Sequence, residues 1–184
     1  MKAKLITVAA LFAMIAGVAG AQGFSTGISV DYFNLTGSYT NWRGEKITQH
    51  WHGPSLTLHL DKDFSDRWSL TSSMAVLYIL FPSEVESCRF QPEFFAGAQY
   101  SRSLGERTHF DLAAGPSVFL DCTEDECQAC GGASGRIRIR RDLGRKLGLF
   151  ISTQYKYYFI FPSSAGDTFR MRNENISLGC QYHF

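Results

Sequence analysis

The chain has no excess of charge of either sign: 18 lysines and arginines face 17 aspartates and glutamates, a formal net charge of +1 over 184 residues. That balance argues against a general polyanion binder, whose footprint is a strongly basic domain, and no nucleic-acid partner is expected. Beyond Val18 there is no run of the roughly 18 apolar residues that a membrane helix requires. A 3.6-residue apolar period is also missing, so helices are not expected to build the domain. If such a chain meets a membrane, it must do so with strands.

The amino terminus sets the compartment. Met1-Lys2-Ala3-Lys4 is a short basic segment, Leu5 to Val18 is almost unbroken apolar sequence, and Ala19-Gly20-Ala21 supplies small residues in the A-x-A pattern. This is the layout of a secretory signal peptide, too short for a membrane anchor and cleaved before Gln22. No cysteine stands at the cleavage site, which argues against a lipoprotein. The expected organisation is a signal peptide over 1–21 and one domain over 22–184.

Eight strand candidates follow, at 24–35, 53–63, 68–80, 88–103, 108–121, 133–142, 147–160 and 172–184. Three connections are short polar turns: Asp61 to Arg67, Leu104 to Arg107, and Leu143 to Lys146. The other four, near 36–52, 81–88, 122–132 and 161–171, are expected to be longer loops and hold four of the five cysteines and two of the five prolines. Within each strand one parity is apolar, as in Leu56, Leu58 and Leu60 or Ile137 and Ile139. The opposite parity is polar or small, as in Ser55, Thr57 and His59 or Arg136, Arg138 and Arg140. Alternation alone does not say which face is inside, because a soluble barrel would bury the apolar one.

The strand ends orient it. Aromatics gather there, including Phe24, Trp68, Tyr100, Tyr157 and Phe159, as amphipathic rings do at water–lipid interfaces. The last strand, Asn175 to Phe184, alternates apolar residues and finishes on Tyr182 and Phe184. In these features the chain resembles the bacterial outer-membrane β-barrels, and most of all the small porin-like barrels of the OmpA membrane-domain and OmpX type. The resemblance implies an all-β fold, an eight-stranded antiparallel up-and-down transmembrane β-barrel in the cell outer membrane. It further implies a monomer with amino terminus and short turns facing the periplasm, surrounded by outer-membrane lipid, its Tyr182 and Phe184 read by the barrel-assembly machinery.

An eight-stranded barrel is just wide enough for side chains to fill it. The arginine ladder Arg136, Arg138 and Arg140 would then face a lumen shared with Arg89 and Lys156, and its expected acidic partners are Asp31, Glu93 and Asp111. Five cations against three acids leave two outcomes: loop acids and water complete the network, or the lumen is electropositive. Cys88, Cys122, Cys127 and Cys130, near one rim of an exported protein, are expected to form two disulfides, with three pairings open. Cys180 falls on the apolar face. No metal or cofactor is expected, since His50-Trp51-His52 lacks a nearby third ligand.

Three functions are compatible with these residues. The first is a structural barrel that recognises an extracellular ligand through its loops near 36–52 and 122–132. The second is a narrow, weakly anion-favouring pore. The third is a lipid-modifying enzyme, for which His50 and His52 near Ser55, with Glu84, Glu86 and Ser87, are the loop candidates for nucleophile and base.

Overall fold

The computed structural model describes residues 23–40, 43–79, 89–122, 127–160 and 170–184, and the signal segment 1–21 lies outside them. Eight strands are present: β1 Phe24–Thr40, β2 Lys46–Asp63, β3 Trp68–Ile79, β4 Arg89–Ser103, β5 Thr108–Cys122, β6 Cys127–Asp142, β7 Leu147–Ile160 and β8 Arg170–His183. Each pairs antiparallel with the next, and β8 returns to pair with β1, so the sheet closes into an up-and-down barrel. Closure removes the unpaired edge that an open sheet would present to lipid.

The three polar turns form as tight hairpins, each drawn shut by a backbone bond across its base: Phe64 N to Trp68 O at 3.1 Å, Leu104 N to Thr108 O at 2.8 Å and Leu143 N to Leu147 O at 2.8 Å. The start of β1 and the end of β8 meet at this turn end, where Phe184 N donates to Phe24 O at 3.1 Å. The opposite, loop end differs from expectation. Residues expected as loop near 36–52 are mostly strand, with β1 running to Thr40 and β2 starting at Lys46, and β6 starts at Cys127 instead of 133. Thr36, Thr48 and Ile47 are β-branched and keep the period-two pattern, so cross-strand pairing continues past the apolar belt. β1 and β2 have 17 and 18 residues, well beyond the roughly 9–11 that a tilted strand needs to cross a bilayer.

Side-chain parity decides the environment. Val30, Ile176 and Leu178 are 64%, 64% and 68% exposed on the outside, while Arg136 and Arg138 inside are each 1% exposed. In water each bare aliphatic side chain would forfeit about 1.5–3 kcal/mol of burial. A belt of them around the whole barrel is the surface of a protein solvated by lipid. Rings flank the belt at the turn end, where Trp68 meets Tyr100 edge-on at 5.3 Å and Tyr182 meets Phe184 at 5.1 Å.

Candidate functional site

The lumen is built in two storeys. Toward the turn end the inward column of β6 brings in Arg136 and Arg138, and β2, β3, β4 and β5 supply the groups that hold them. Arg138 Nε donates to Asp111 Oδ2 at 2.8 Å, and its Nη2 donates to Asp61 Oδ2 at 2.8 Å and to Gln99 Oε1 at 3.1 Å. One guanidinium thus bridges two carboxylates, a geometry that its planar fork permits and a lysine ammonium does not reproduce. Arg136 donates to Thr71 Oγ1 at 2.6 Å and Gln99 Oε1 at 3.0 Å, with Asp61 Oδ1 at 3.8 Å. The guanidinium carbons of Arg136 and Arg138 lie 5.6 and 5.4 Å from the ring centroids of Phe95 and Phe150.

Asp61 corrects the expected partner set. It belongs to β2 and not to a turn, is 2% exposed, and also accepts from Thr71 Oγ1 at 2.5 Å and Gln181 Nε2 at 3.1 Å. The signal for it was present in the sequence, since Asp61 continues the inward parity of Ser55, Thr57 and His59. Asp31, expected to pair with an arginine directly, instead accepts from Ser29 Oγ at 2.7 Å, Ser55 Oγ at 3.3 Å and Thr57 Oγ1. Its link to the arginines runs through His59. Arg136 Nη1 lies 3.0 Å from His59 Nδ1, and a guanidinium can only donate, so the imidazole proton sits on Nε2, 2.8 Å from Ser29 Oγ. Arg136, His59, Ser29 and Asp31 form one directed chain of hydrogen bonds.

Glu93, expected as a partner of the arginine ladder, instead pairs with Lys156 deep in the barrel, and it also accepts from Tyr158 Oη and from Asn173 Nδ2 at 3.0 Å. Arg140 does not join the deep network. It stands at the turn-end mouth, 3.5 Å from Asp142, which also lies 3.1 Å from His109 and 3.8 Å from His183. Arg89 opens β4, and its side chain lies outside the described residues. Among the described residues the deep cations Arg136, Arg138 and Lys156 meet the buried acids Asp31, Asp61, Glu93 and Asp111. Among the described deep residues the acids therefore outnumber the cations, with Asp61 supplying the carboxylate that the expected set lacked.

Beyond the arginines, toward the loop end, apolar inward positions surround the Glu93–Lys156 pair, and Tyr158 of that apolar group is a donor to Glu93. Phe33, Leu35, Ala75, Leu77, Phe119, Cys130, Tyr158 and Met171 pack into a buried cluster with Trp51 against it. This layer was not anticipated, because on β1 and β8 the pattern reverses here, with apolar Phe33, Leu35 and Met171 inward and polar Asn34, Thr36 and Arg172 outward.

Among the described residues, the enzyme candidates are not brought to one face. His50 and His52 are exposed on the outward face of β2, whereas Ser55 is buried on the inward face, and Glu84, Glu86 and Ser87 lie outside the described residues. At the turn-end mouth, Ser103 Oγ is 3.4 Å from His109 Nδ1 beside a cavity of about 370 Å³, but the distance is long and Asp142 is shared among Arg140 and two histidines. Of the four loop cysteines, Cys130 is not on a loop: it is a thiol inside the barrel, 6% exposed, in the apolar cluster. Cys122 and Cys127 stand opposite each other in the β5–β6 register, and Cys88 lies outside the described residues. Cys180 is a half-buried thiol on β8.

No protein-family model matches the sequence, and no curated protein matches it. Solved structures do. Neisserial surface protein A superposes with a TM-score of 0.65 at 12% identity, over 90% of this chain and 99% of that one. The outer membrane protein AlkL, determined in lipid bilayers, superposes with a TM-score of 0.55 at 16% identity, over 90% of this chain and 92% of that one. With its closed antiparallel sheet, apolar exterior and polar interior, this chain has the fold of the small eight-stranded β-barrels of the bacterial outer membrane.

Proposed function

We propose that the chain is a closed structural barrel of the outer membrane that acts through the surface its loop-end strands raise outside the cell. The observation that carries this reading is the filled lumen. A hydrogen-bonded charge network lies in series with an apolar layer, and an ion would have to displace both. An anion-favouring pore would need surplus positive charge along its path, and among the described deep residues Asp61 offsets the arginines. A lipid-modifying role loses its support because the histidines and Ser55 are on opposite faces of β2. The extended β1–β2 hairpin is the natural place for an extracellular ligand, since it carries polar side chains well past the apolar belt.

In this reading the loop end faces the exterior, the barrel is a monomer in outer-membrane lipid, and the alternating β8 ending on Tyr182 and Phe184 is the segment that the assembly machinery reads. The test is a planar-bilayer recording of the refolded barrel. No stepwise current is expected at physiological salt, and reproducible single-channel events would overturn the closed-barrel reading.

A further inference from the structure

One side of the loop end carries a cluster of cations on the lipid-facing surface. The outward column of β8, read away from the turn end, is Leu178, Ile176, Glu174, Arg172 and Arg170. In the sheet Arg172 stands opposite Thr36 of β1 and Tyr157 of β7, and Arg170 stands opposite Ser38. Lys46 of β2 completes the rim beside them. Lys46, Arg170 and Arg172 border one shallow cavity of about 250 Å³ with the hydroxyls of Thr36, Ser38 and Thr48. Among the described residues none of the three cations has an acid within ion-pair distance.

Height selects the kind of ligand. Successive outward positions on a strand are about 6.6 Å apart, so Arg172 lies two positions, roughly 13 Å along the strand, beyond Ile176. After the tilt of about 45° this is on the order of 9 Å above the last aliphatic ring of the belt, the depth of lipid headgroups rather than of acyl chains or bulk water. The apolar belt continues directly below through Ile176, Leu178 and Val30, all exposed. A molecule with an anionic head and long acyl chains therefore matches both halves of this surface, and a soluble anion matches only one.

The barrel is asymmetric in this respect. On β5 and β6 the corresponding outward positions are Pro116, Val118, Ala129 and Ala133, with no cation. Two arginines two residues apart with flanking hydroxyls offer forked, charge-assisted donors suited to phosphate oxygens.

We propose that Lys46, Arg170 and Arg172 form a binding site for the phosphate groups of a phosphorylated glycolipid in the outer leaflet, with Thr36 and Ser38 as supporting donors. This rests on the reading that the loop end faces the exterior. The full barrel, folded in micelles, is titrated with bis-phosphorylated lipid A, with the same lipid after phosphate removal, with phosphatidylglycerol and with inorganic phosphate. Binding of the first should be about tenfold or more tighter than of the other three, a difference of about 1.4 kcal/mol. The triple variant K46Q/R170Q/R172Q, verified as folded by its heat-modifiable migration, should lose that preference. Equal binding of the dephosphorylated lipid, or an unaffected triple variant, would overturn the site, and phosphatidylglycerol binding as tightly as lipid A would overturn the glycolipid assignment. An epitope inserted at Gly44, a positive-φ turn glycine with open space around it, separates the two readings. Failure to detect it on intact cells would overturn the orientation, and with it the outer-leaflet assignment, independently of the micelle titration.

Discussion

At the scale of single residues, the stability of the lumen turns on which groups stand between opposite charges. Arg138 holds Asp61 and Asp111 together, each at 2.8 Å. Arg138→Ala leaves two buried carboxylates without their common cation, and a loss of about 3–5 kcal/mol is expected, measured as a shift in the urea midpoint of the detergent-folded barrel. An unchanged midpoint would refute the bridging role. Gly179 has a different importance. A Cβ there would stand 2.5 Å from the Ile28 carbonyl oxygen and would intrude on the ring of Phe150, which lies across the lumen over Arg138. Gly179→Ala is expected to destabilise by about 1–3 kcal/mol through overpacking, and Phe150→Leu in the same chain should recover part of it. The expected role of Arg138 was legible because alternate arginines on a strand must share a face. The identity of its partners was only half legible, because Asp111 lies opposite it in the neighbouring strand while Asp61 reaches it from across the barrel.

Elements behave according to how far their period persists. The tight turns were readable because polar residues interrupt the apolar alternation for only four or so positions. The loop-end boundaries were not readable, because there the outward face turns polar, as at Asn34, Thr36 and Arg172, while the inward face turns apolar, as at Phe33, Leu35 and Met171, and backbone pairing continues through the change. The cysteine assignment failed in part for the same reason. With β5 and β6 paired up to Cys122 and Cys127, two directly opposed Cα atoms lie about 4.5–5.5 Å apart, inside the range of about 4.4–6.8 Å that a disulfide accepts. We expect a Cys122–Cys127 bridge closing this hairpin and a reduced Cys130, read by alkylation and peptide mass mapping without reductant. A Cys130-containing crosslink would contradict this register.

For the whole molecule, the two storeys of the lumen act as seals in series, so neither is expected to control permeability alone. Removing the ionic layer with Arg138→Ala and Asp61→Ala should leave the bilayer current at baseline, because the apolar layer persists. Thinning the apolar layer with Phe33→Ala and Phe119→Ala should do the same. All four substitutions together should give measurable conductance, provided the protein still shows folded-barrel migration. Current from either pair alone would mean that only one layer blocks the lumen.

The sequence by itself determined the secondary structure, the strand number and the two-faced character of every strand, because a period of two is a local property that each segment carries without reference to its neighbours. It also marked the arginine ladder as a buried wall once the apolar face was assigned to lipid. Only the tertiary structure decided who neutralises that wall, that His59 and Ser29 relay it to Asp31, and that an apolar layer closes the lumen above it. Apart from Ser29 and Asp31, neighbours on one strand, those contacts join residues 27 to 120 positions apart, and their pairing follows from the curvature and stagger of the closed sheet, which no single strand encodes.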